Sequence, residues 1–314
     1  MRIVVTGASG FIGSALAKKL VEQGHDVYGI YRYVADGRYD FYQLDRKIIC
    51  DVRDRAGIDE AIGKVKPEVV YHLAAITPVS ISFLYPLEVT EVNYLGTMNI
   101  ADACVKHRVA HLINASTSEF YGKQDKFPIT EDATPRPMSP YAVAKLAAEE
   151  YLWFKRRIEN LPFTTIRPYN TYNRSNVKKK YFVIERAITQ ALEEGHIHLF
   201  TPYPVRDLLE RDDHVSAYLK CLGNTKIIGE AINIGTGEGH TIGEAVELVA
   251  RLVGGELGKE IPVSWDMAPD RPFDIATLIC SNNKALQLLG WKPSVTLEEG
   301  LHKAVREWRE VLGL

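Results

Sequence analysis

"VVTGASGFIGSALAKKL", residues 4–20, decides the fold. Gly7, Gly10 and Gly13 fall between an apolar run, "RIVVT" (2–6), and a stretch with Ala15, Leu16, Leu20 and Val21 at helical spacing, which Gly24 closes. Glycine is required where a turn is tight, where backbone approaches a pyrophosphate and where a helix packs closely on a strand. The helix start that follows offers free N–H groups and the positive end of a dipole to phosphates. A glycine triplet alone marks only a tight turn. Between a strand and a helix, at the head of an alternating pattern, it indicates a dinucleotide site in which Phe11 and Ile12 share the cradle.

The alternation continues outward. "DVYGIYR" (26–32), "KIICDV" (47–52), "EVVYHLAA" (68–75), "HLINAST" (111–117) and "FTTIRPYN" (163–170) read as strands separated by amphipathic stretches. The pattern predicts an α/β fold: a Rossmann doubly wound parallel sheet, with a smaller mixed α/β substrate-binding domain. Residues 1–170 form the dinucleotide domain, with returning segments near 207–235, and residues 171–314 form mainly the second domain. In that half, helices are expected at 181–194 and 212–222, over "TIGEAVELVARLV" (241–253) and at the C-terminus. Ligands of such a sheet bind beyond the carboxyl ends of its strands.

Bulk properties exclude several classes. The 314 residues are 46% hydrophobic and 25% charged, as in an ordinary globular enzyme. A formal net charge of −2 gives no electrostatic case for nucleic acid or an anionic membrane, and the run Lys178-Lys179-Lys180 reads as a solvated loop. No apolar run approaches the ~20 residues that span a bilayer. Cys50, Cys104, Cys221 and Cys280 have no CxxC spacing, which argues against a zinc site and a disulfide scaffold. The first strand begins at Arg2, leaving no room for a signal peptide, so the expected location is the cytoplasm.

The end of the second strand bears on the choice of dinucleotide. An acidic residue there would bind the ribose hydroxyls of NAD, whereas this chain has Tyr31-Arg32-Tyr33. A guanidinium can pair with a 2′-phosphate and stack on adenine, so the expectation is NADP, with NAD as the alternative. Asp51 and Val52, after the third strand, are placed at the adenine edge.

"SPYAVAKLAAEEYLWF" (139–154) puts Tyr141 and Lys145 four residues apart on one helix face. A free tyrosine has a pKa near ~10, and lowering it to about 7 needs roughly 4 kcal/mol of preferential phenolate stabilisation. The Lys145 ammonium and a positively charged nicotinamide together could supply that. With "TGASGFIG", "HLAA" (72–75), "NYLGT" (93–97), "STSEFYG" (116–122), "RPYNTYN" (167–173) and "LGWKP" (289–293), in that order, the chain resembles the extended short-chain dehydrogenase/reductase family of nucleotide-sugar epimerases and dehydratases over essentially its whole length.

The resemblance implies a nucleoside-diphosphate sugar as substrate and Thr117, Tyr141 and Lys145 as the catalytic trio. Tyr141 takes the proton of a sugar hydroxyl, usually at C4, Thr117 hydrogen-bonds the same oxygen, and Lys145 also holds the nicotinamide ribose. Leu73, Ala74 and Ala75 would border the cofactor; Asn170, Arg206 and Arg271 would meet the diphosphate, where forked guanidinium donors suit the charge. Thr77, Ser80 and Ser118 are placed at the sugar. The resemblance further implies a homodimer through a four-helix interface, possibly a tetramer. Leu152, Trp153 and Phe154 look like more aromatic surface than a monomer helix needs.

Glu119 divides the family. Simple 4-epimerases usually carry a small or apolar residue there, whereas a 4,6-dehydratase needs a carboxylate near C5 and C6 to remove the C5 proton before hydride returns to C6. "ASTSEFYG", "PRPMSPYAVAK" and Arg32 look most like GDP-mannose 4,6-dehydratases. The expectation is therefore an NADP-dependent 4,6-dehydratase with a GDP-mannose-like substrate, and the alternative a UDP-glucose/UDP-galactose type 4-epimerase. A non-catalytic cofactor sensor is a remote third reading, since such proteins lose the tyrosine or the lysine. Two departures stand out: the chain is shorter than the dehydratases usually are, and Arg206-Asp207 is followed by Leu208 rather than an aromatic residue.

Overall fold

The apolar runs of the first half form one parallel sheet. In this computed structural model, residues 1–33, 42, 44–173, 182–267 and 273–314 are described; Lys178, Lys179, Lys180 and Arg271 lie outside the described residues. The sheet joins β1 (Arg2–Thr6), β2 (Asp26–Tyr31), β3 (Lys47–Ile49), β4 (Val69–His72), β5 (His111–Ala115) and β6 (Phe163–Pro168). Its outer edge is completed by Ala231–Ile234, which returns from the second half of the chain. In space β1 lies between β2 and β4, with Thr6 in register with both Ile30 and His72. Strand order reverses at that point, so the crevice for a ligand opens beyond the ends of β1 and β4.

Both faces of the sheet are covered, which is why its strands read as nearly continuous apolar runs. Ile3 and Val5 face one side, where they pack with Leu16 and Leu20 of α1 (Phe11–Glu22). Val4 faces the other, toward Ile58 and Ile62 of α2 (Arg55–Val65). On that second face the chain also runs through α3 (Val79–Leu84), α4 (Pro86–Thr90), a π-helical turn (Glu91–Leu95), α5 (Gly96–Lys106) and the long α6 (Pro140–Glu159). From Pro86 to Lys106 the chain is thus helical throughout, interrupted by one widened turn.

The second half contributes β7 (Asn170–Tyr172), α7 (Val183–Glu193), β8 (Ile197–Leu199), β9 (Val205–Arg206), β10 (Leu208–Glu210) and α8 (Arg211–Cys221). The returning strand is β11 (Ala231–Ile234), followed by β12 (His240–Thr241), α9 (Ile242–Leu257), β13 (Val263–Trp265), β14 (Thr277–Leu278), α10 (Asn283–Leu289) and α11 (Leu297–Leu312). α7, α9 and α11 bury a separate core around Ile188, Val246, Val249 and Trp308. Local sequence sets two of these helices: Thr241 with Glu244, and Thr296 with Glu299, form reciprocal capping boxes at the starts of α9 and α11. α8 crosses back to pack with α1 against the sheet, where Val215 and Tyr218 join its core.

One surface expectation needs correction. Leu152 is fully buried and Trp153 packs edge-on against Phe163, with ring centroids 5.0 Å apart, so of the three residues only Phe154 is exposed. The apolar surface on these helices comes instead from Leu84, Leu87, Leu95, Val143, Phe154 and Ile158.

Candidate active site

The site is built where β1, β4, β5 and β6 end. Gly7 has φ +68°, and a Cβ on it would stand 2.8 Å from the Ala74 amide nitrogen. A Cβ on Gly13 would stand 2.2 Å from the Gly7 carbonyl oxygen, so α1 can approach the strand only with glycine there. α1 starts at Gly10 with no side-chain cap and no acidic residue in its first turn. Bare first-turn amides, an uncancelled dipole end and glycines leaving no side chains in the way fit the pyrophosphate of a dinucleotide.

The loop after β4 is held by a buried chain of polar groups. The Thr6 hydroxyl accepts from the amides of Leu73 and Ala74, at 3.2 and 3.1 Å, and lies 2.8 Å from His72 Nδ1. His72 Nε2 is 3.0 Å from Thr97 Oγ1. Burial, reinforced by the Lys145 charge, pushes His72 down to about 3, so its imidazole stays neutral. Asn93 clamps the next residue, accepting from the Ile76 amide at 2.8 Å and donating to its carbonyl at 2.9 Å. Leu73 and Ala75 therefore face the cavity, while Ala74 packs behind Gly7.

β5 delivers Ser116, Thr117, Ser118 and Glu119 to the same cavity. The Ser118 amide donates to Pro168 O at 3.1 Å, and the Glu119 amide to Thr117 Oγ1 at 3.1 Å. α6 begins opposite, with Ser139 Oγ accepting from the Ala142 amide and Pro140 at the first helical position. Its first two turns carry Tyr141 and Lys145 into the cavity, both nearly fully buried. Burial pushes the Tyr141 phenol up to about 12, the Thr117 hydroxyl pulling the other way. Burial also pushes Lys145 down to about 8, against the attraction of Glu149 one turn along the helix. Glu149 is held by Arg167, whose Nε and Nη2 reach its two oxygens at 3.1 and 2.7 Å, and Arg167 also donates to Tyr121 OH. Lys145 Nζ donates to Ala115 O.

The cavity, about 450 Å³, runs from the glycine loop past Tyr141 into the second half of the chain. Thr77, Ser80, Asn170 and Arg206 line it with the trio. Arg206 pairs with Asp274 at 2.8 Å rather than with its neighbour Asp207. Asp207 is instead a buried staple, accepting from the amides of Thr236, Gly237 and Cys280. Arg32, Asp51 and Val52 do not line this cavity. Arg32 lies between two carboxylates, Asp51 at 3.3 Å and Glu88 at 3.4 Å, and Val52 is a core side chain against Gly96. Several lining residues carry no sequence signal: Glu185 and Arg186 of α7, Phe200, His214 and Tyr218 of α8, and Asp274.

Among the described residues no group of His, Cys, Asp and Glu side chains is placed to hold a metal, and no helix is long and apolar enough to cross a membrane. Comparison with known proteins fits the geometry. The family model described as GDP-mannose 4,6 dehydratase matches residues 4–304. The chain belongs to the extended short-chain dehydrogenase/reductase family of nucleotide-sugar epimerases and dehydratases. It is accordingly an NAD(P)-dependent enzyme of that family.

Within the family, the UDP-glucose 4-epimerase of Mycolicibacterium smegmatis is 31% identical over 317 residues, covering 98% of this chain and 99% of the relative. The structure of the Thermotoga maritima UDP-glucose 4-epimerase with UDP-glucose superposes with a TM-score of 0.91 at 32% identity, over 99% of this chain and 100% of that one. The Thermus thermophilus UDP-glucose 4-epimerase in complex with NAD gives 0.89 at 31% identity, over 98% and 99%.

Proposed function

We propose that this protein is an NAD-dependent nucleoside-diphosphate-sugar 4-epimerase, a reading that reverses the order of the two family reactions expected from sequence. The carrying observation is the convergence of Thr117, Tyr141 and Lys145 with the glycine loop on one buried cavity. Support for the epimerase over the dehydratase comes from the relatives, which match along nearly the full chain and are UDP-glucose 4-epimerases by name.

A nicotinamide dinucleotide held by the Gly7–Gly13 loop would supply a reversible hydride acceptor and, in its oxidised form, a positive charge. The chain's own residues do the rest. Tyr141 accepts the proton of the C4 hydroxyl and Thr117 Oγ1 donates to the same oxygen. Bringing a phenol from about 12 to about 7 takes roughly 7 kcal/mol of preferential phenolate stabilisation, which the Lys145 ammonium and the ring charge share. Burial of the site makes both charges effective, because water does not screen them there. The 4-keto sugar then turns its other face, and Tyr141 returns the proton to the new C4 oxygen. Arg206, which pairs with Asp274 and lines the cavity, would meet the diphosphate.

NAD is preferred here to NADP because Arg32 is already matched by Asp51 and Glu88, and two carboxylates at the ribose end disfavour a 2′-phosphate. The exposed apolar residues of α3 to α6 support a dimer through those helices.

The dehydratase remains a second reading because Glu119 lines the cavity beside Tyr141. Replacing Glu119 with Gln separates the two. Turnover within about threefold of wild type on the sugar nucleotide that the wild type converts supports the 4-epimerase, whereas a loss in the 10²–10⁴ range of a missing acid–base group makes Glu119 a proton-transfer group and favours dehydration.

A further inference from the structure

His214 is a buried side chain that the proposed chemistry leaves unused. It sits in the first turn of α8, only 4% exposed, and lines the cavity. Its ring is fixed on two sides. Nδ1 is 2.8 Å from Thr171 Oγ1, and the ring stacks on Tyr218 with centroids 5.1 Å apart and planes at 25°. Nε2 has no hydrogen-bond partner among the described residues. A buried polar atom without a partner is costly, and His214 belongs to the cavity wall, where a ligand atom can supply that partner.

The position of His214 narrows the choice of ligand group. At one end α8 reaches the glycine loop, where Arg211 lies over the Phe11 ring at 5.8 Å. One turn on, Tyr218 lines the same cavity as Tyr141. His214 lies between these points, along the path from the pyrophosphate cradle to the reacting hydroxyl. The nicotinamide half of a dinucleotide must cover that path. The ring's tautomer follows from its partner: the Thr171 hydroxyl donates to Tyr169 O at 3.3 Å, so its lone pair takes the Nδ1 proton and Nε2 is left as an acceptor. Burial keeps the imidazole neutral, which preserves that lone pair.

We propose that His214 is a cofactor-positioning residue whose Nε2 accepts a hydrogen bond from the carboxamide N–H of a bound nicotinamide dinucleotide. This rests on the cavity being a nicotinamide dinucleotide site. Fixing the carboxamide sets which face of the nicotinamide ring is turned to the sugar above Tyr141.

Isothermal titration of the cofactor-stripped protein tests it with three ligands: NAD; 3-acetylpyridine adenine dinucleotide, in which a methyl replaces the carboxamide NH2; and ADP-ribose, which lacks the ring. Wild type is expected to bind NAD about tenfold more tightly than the acetyl analogue, the effect of one buried acceptor left unpaired. In His214→Phe, which keeps the stack on Tyr218, that ratio is expected to fall to about one with ADP-ribose affinity unchanged, and His214→Gln, which retains an acceptor, to keep most of it. A wild type that does not discriminate, or a His214→Phe variant that still does, overturns the assignment. So does a parallel loss of ADP-ribose binding, which would make His214 a structural support of Thr171. If wild type binds neither NAD nor ADP-ribose, the dinucleotide reading fails and the proposal falls with it.

Discussion

Replacing Lys145 with Met should abolish activity and at the same time stabilise the fold at neutral pH. Lys145 is 4% exposed, and burial lowers it from 10.5 to about 8. Its charged form is therefore disfavoured in the folded state, at about 1.4 kcal/mol for each pH unit of that gap, which amounts to about 3 kcal/mol below pH 8. Methionine removes this cost but leaves Ala115 O without its donor, worth about 1 kcal/mol, so a net gain of about 2 kcal/mol is expected at pH 7. The sign follows from linkage. Between pH 8 and 10.5 the folded wild type binds fewer protons than the unfolded chain, so its stability rises with pH and the variant's advantage shrinks. Above about 10.5 the lysine is neutral in both states, and the variant should be less stable by about the one lost hydrogen bond. Urea unfolding of both cofactor-stripped proteins from pH 7 to 11 measures the difference. A variant less stable than wild type at pH 7, or a gain that does not change with pH, would show that Lys145 is not a buried charge kept for function.

Other outcomes follow from the same structure. Gly13→Ala places a Cβ 2.2 Å from Gly7 O, so it should lower stability by roughly 2 kcal/mol in thermal or urea melts and remove dinucleotide binding in titrations. Because Arg32 is matched by Asp51 and Glu88, NAD should bind at least about tenfold more tightly than NADP, and Glu88→Lys should narrow that gap; tighter binding of NADP by wild type would restore the expectation from sequence. Leu87 is 79% exposed on α4 and Ile158 is 65% exposed on α6. Leu87→Asp should turn a dimer into a monomer by light scattering while NAD binding persists, and a monomeric wild type would remove the basis of the interface.

The dinucleotide half was legible because its signals are local. The period-2 and 3.6-residue patterns switch at Gly7, and Tyr141 and Lys145 need only one helix to share a face. Residues whose roles depend on distant partners were not legible in the same way. Arg206 meets Asp274 across 68 positions, a pairing that nothing near it in sequence announces. Arg32 reads as a phosphate ligand until folding brings Glu88 beside it. Trp153 reads as surface because nothing nearby in sequence announces Phe163. His214 and Tyr218 enter the cavity only because α8 crosses back onto α1, a tertiary event that no motif encodes. Glu119 was visible from the start, and its position in the cavity keeps both family reactions chemically possible.

The reaction itself is tested most directly by following deuterium. A sugar nucleotide labelled at C4, UDP-[4-²H]glucose first and GDP-[4-²H]mannose second, is incubated with the enzyme and the product is read by ¹H and ²H NMR. A 4-epimerase gives a C4 epimer with deuterium retained at C4 and the C6 hydroxymethyl group intact. A 4-keto-6-deoxy sugar carrying deuterium in its C6 methyl group would contradict it.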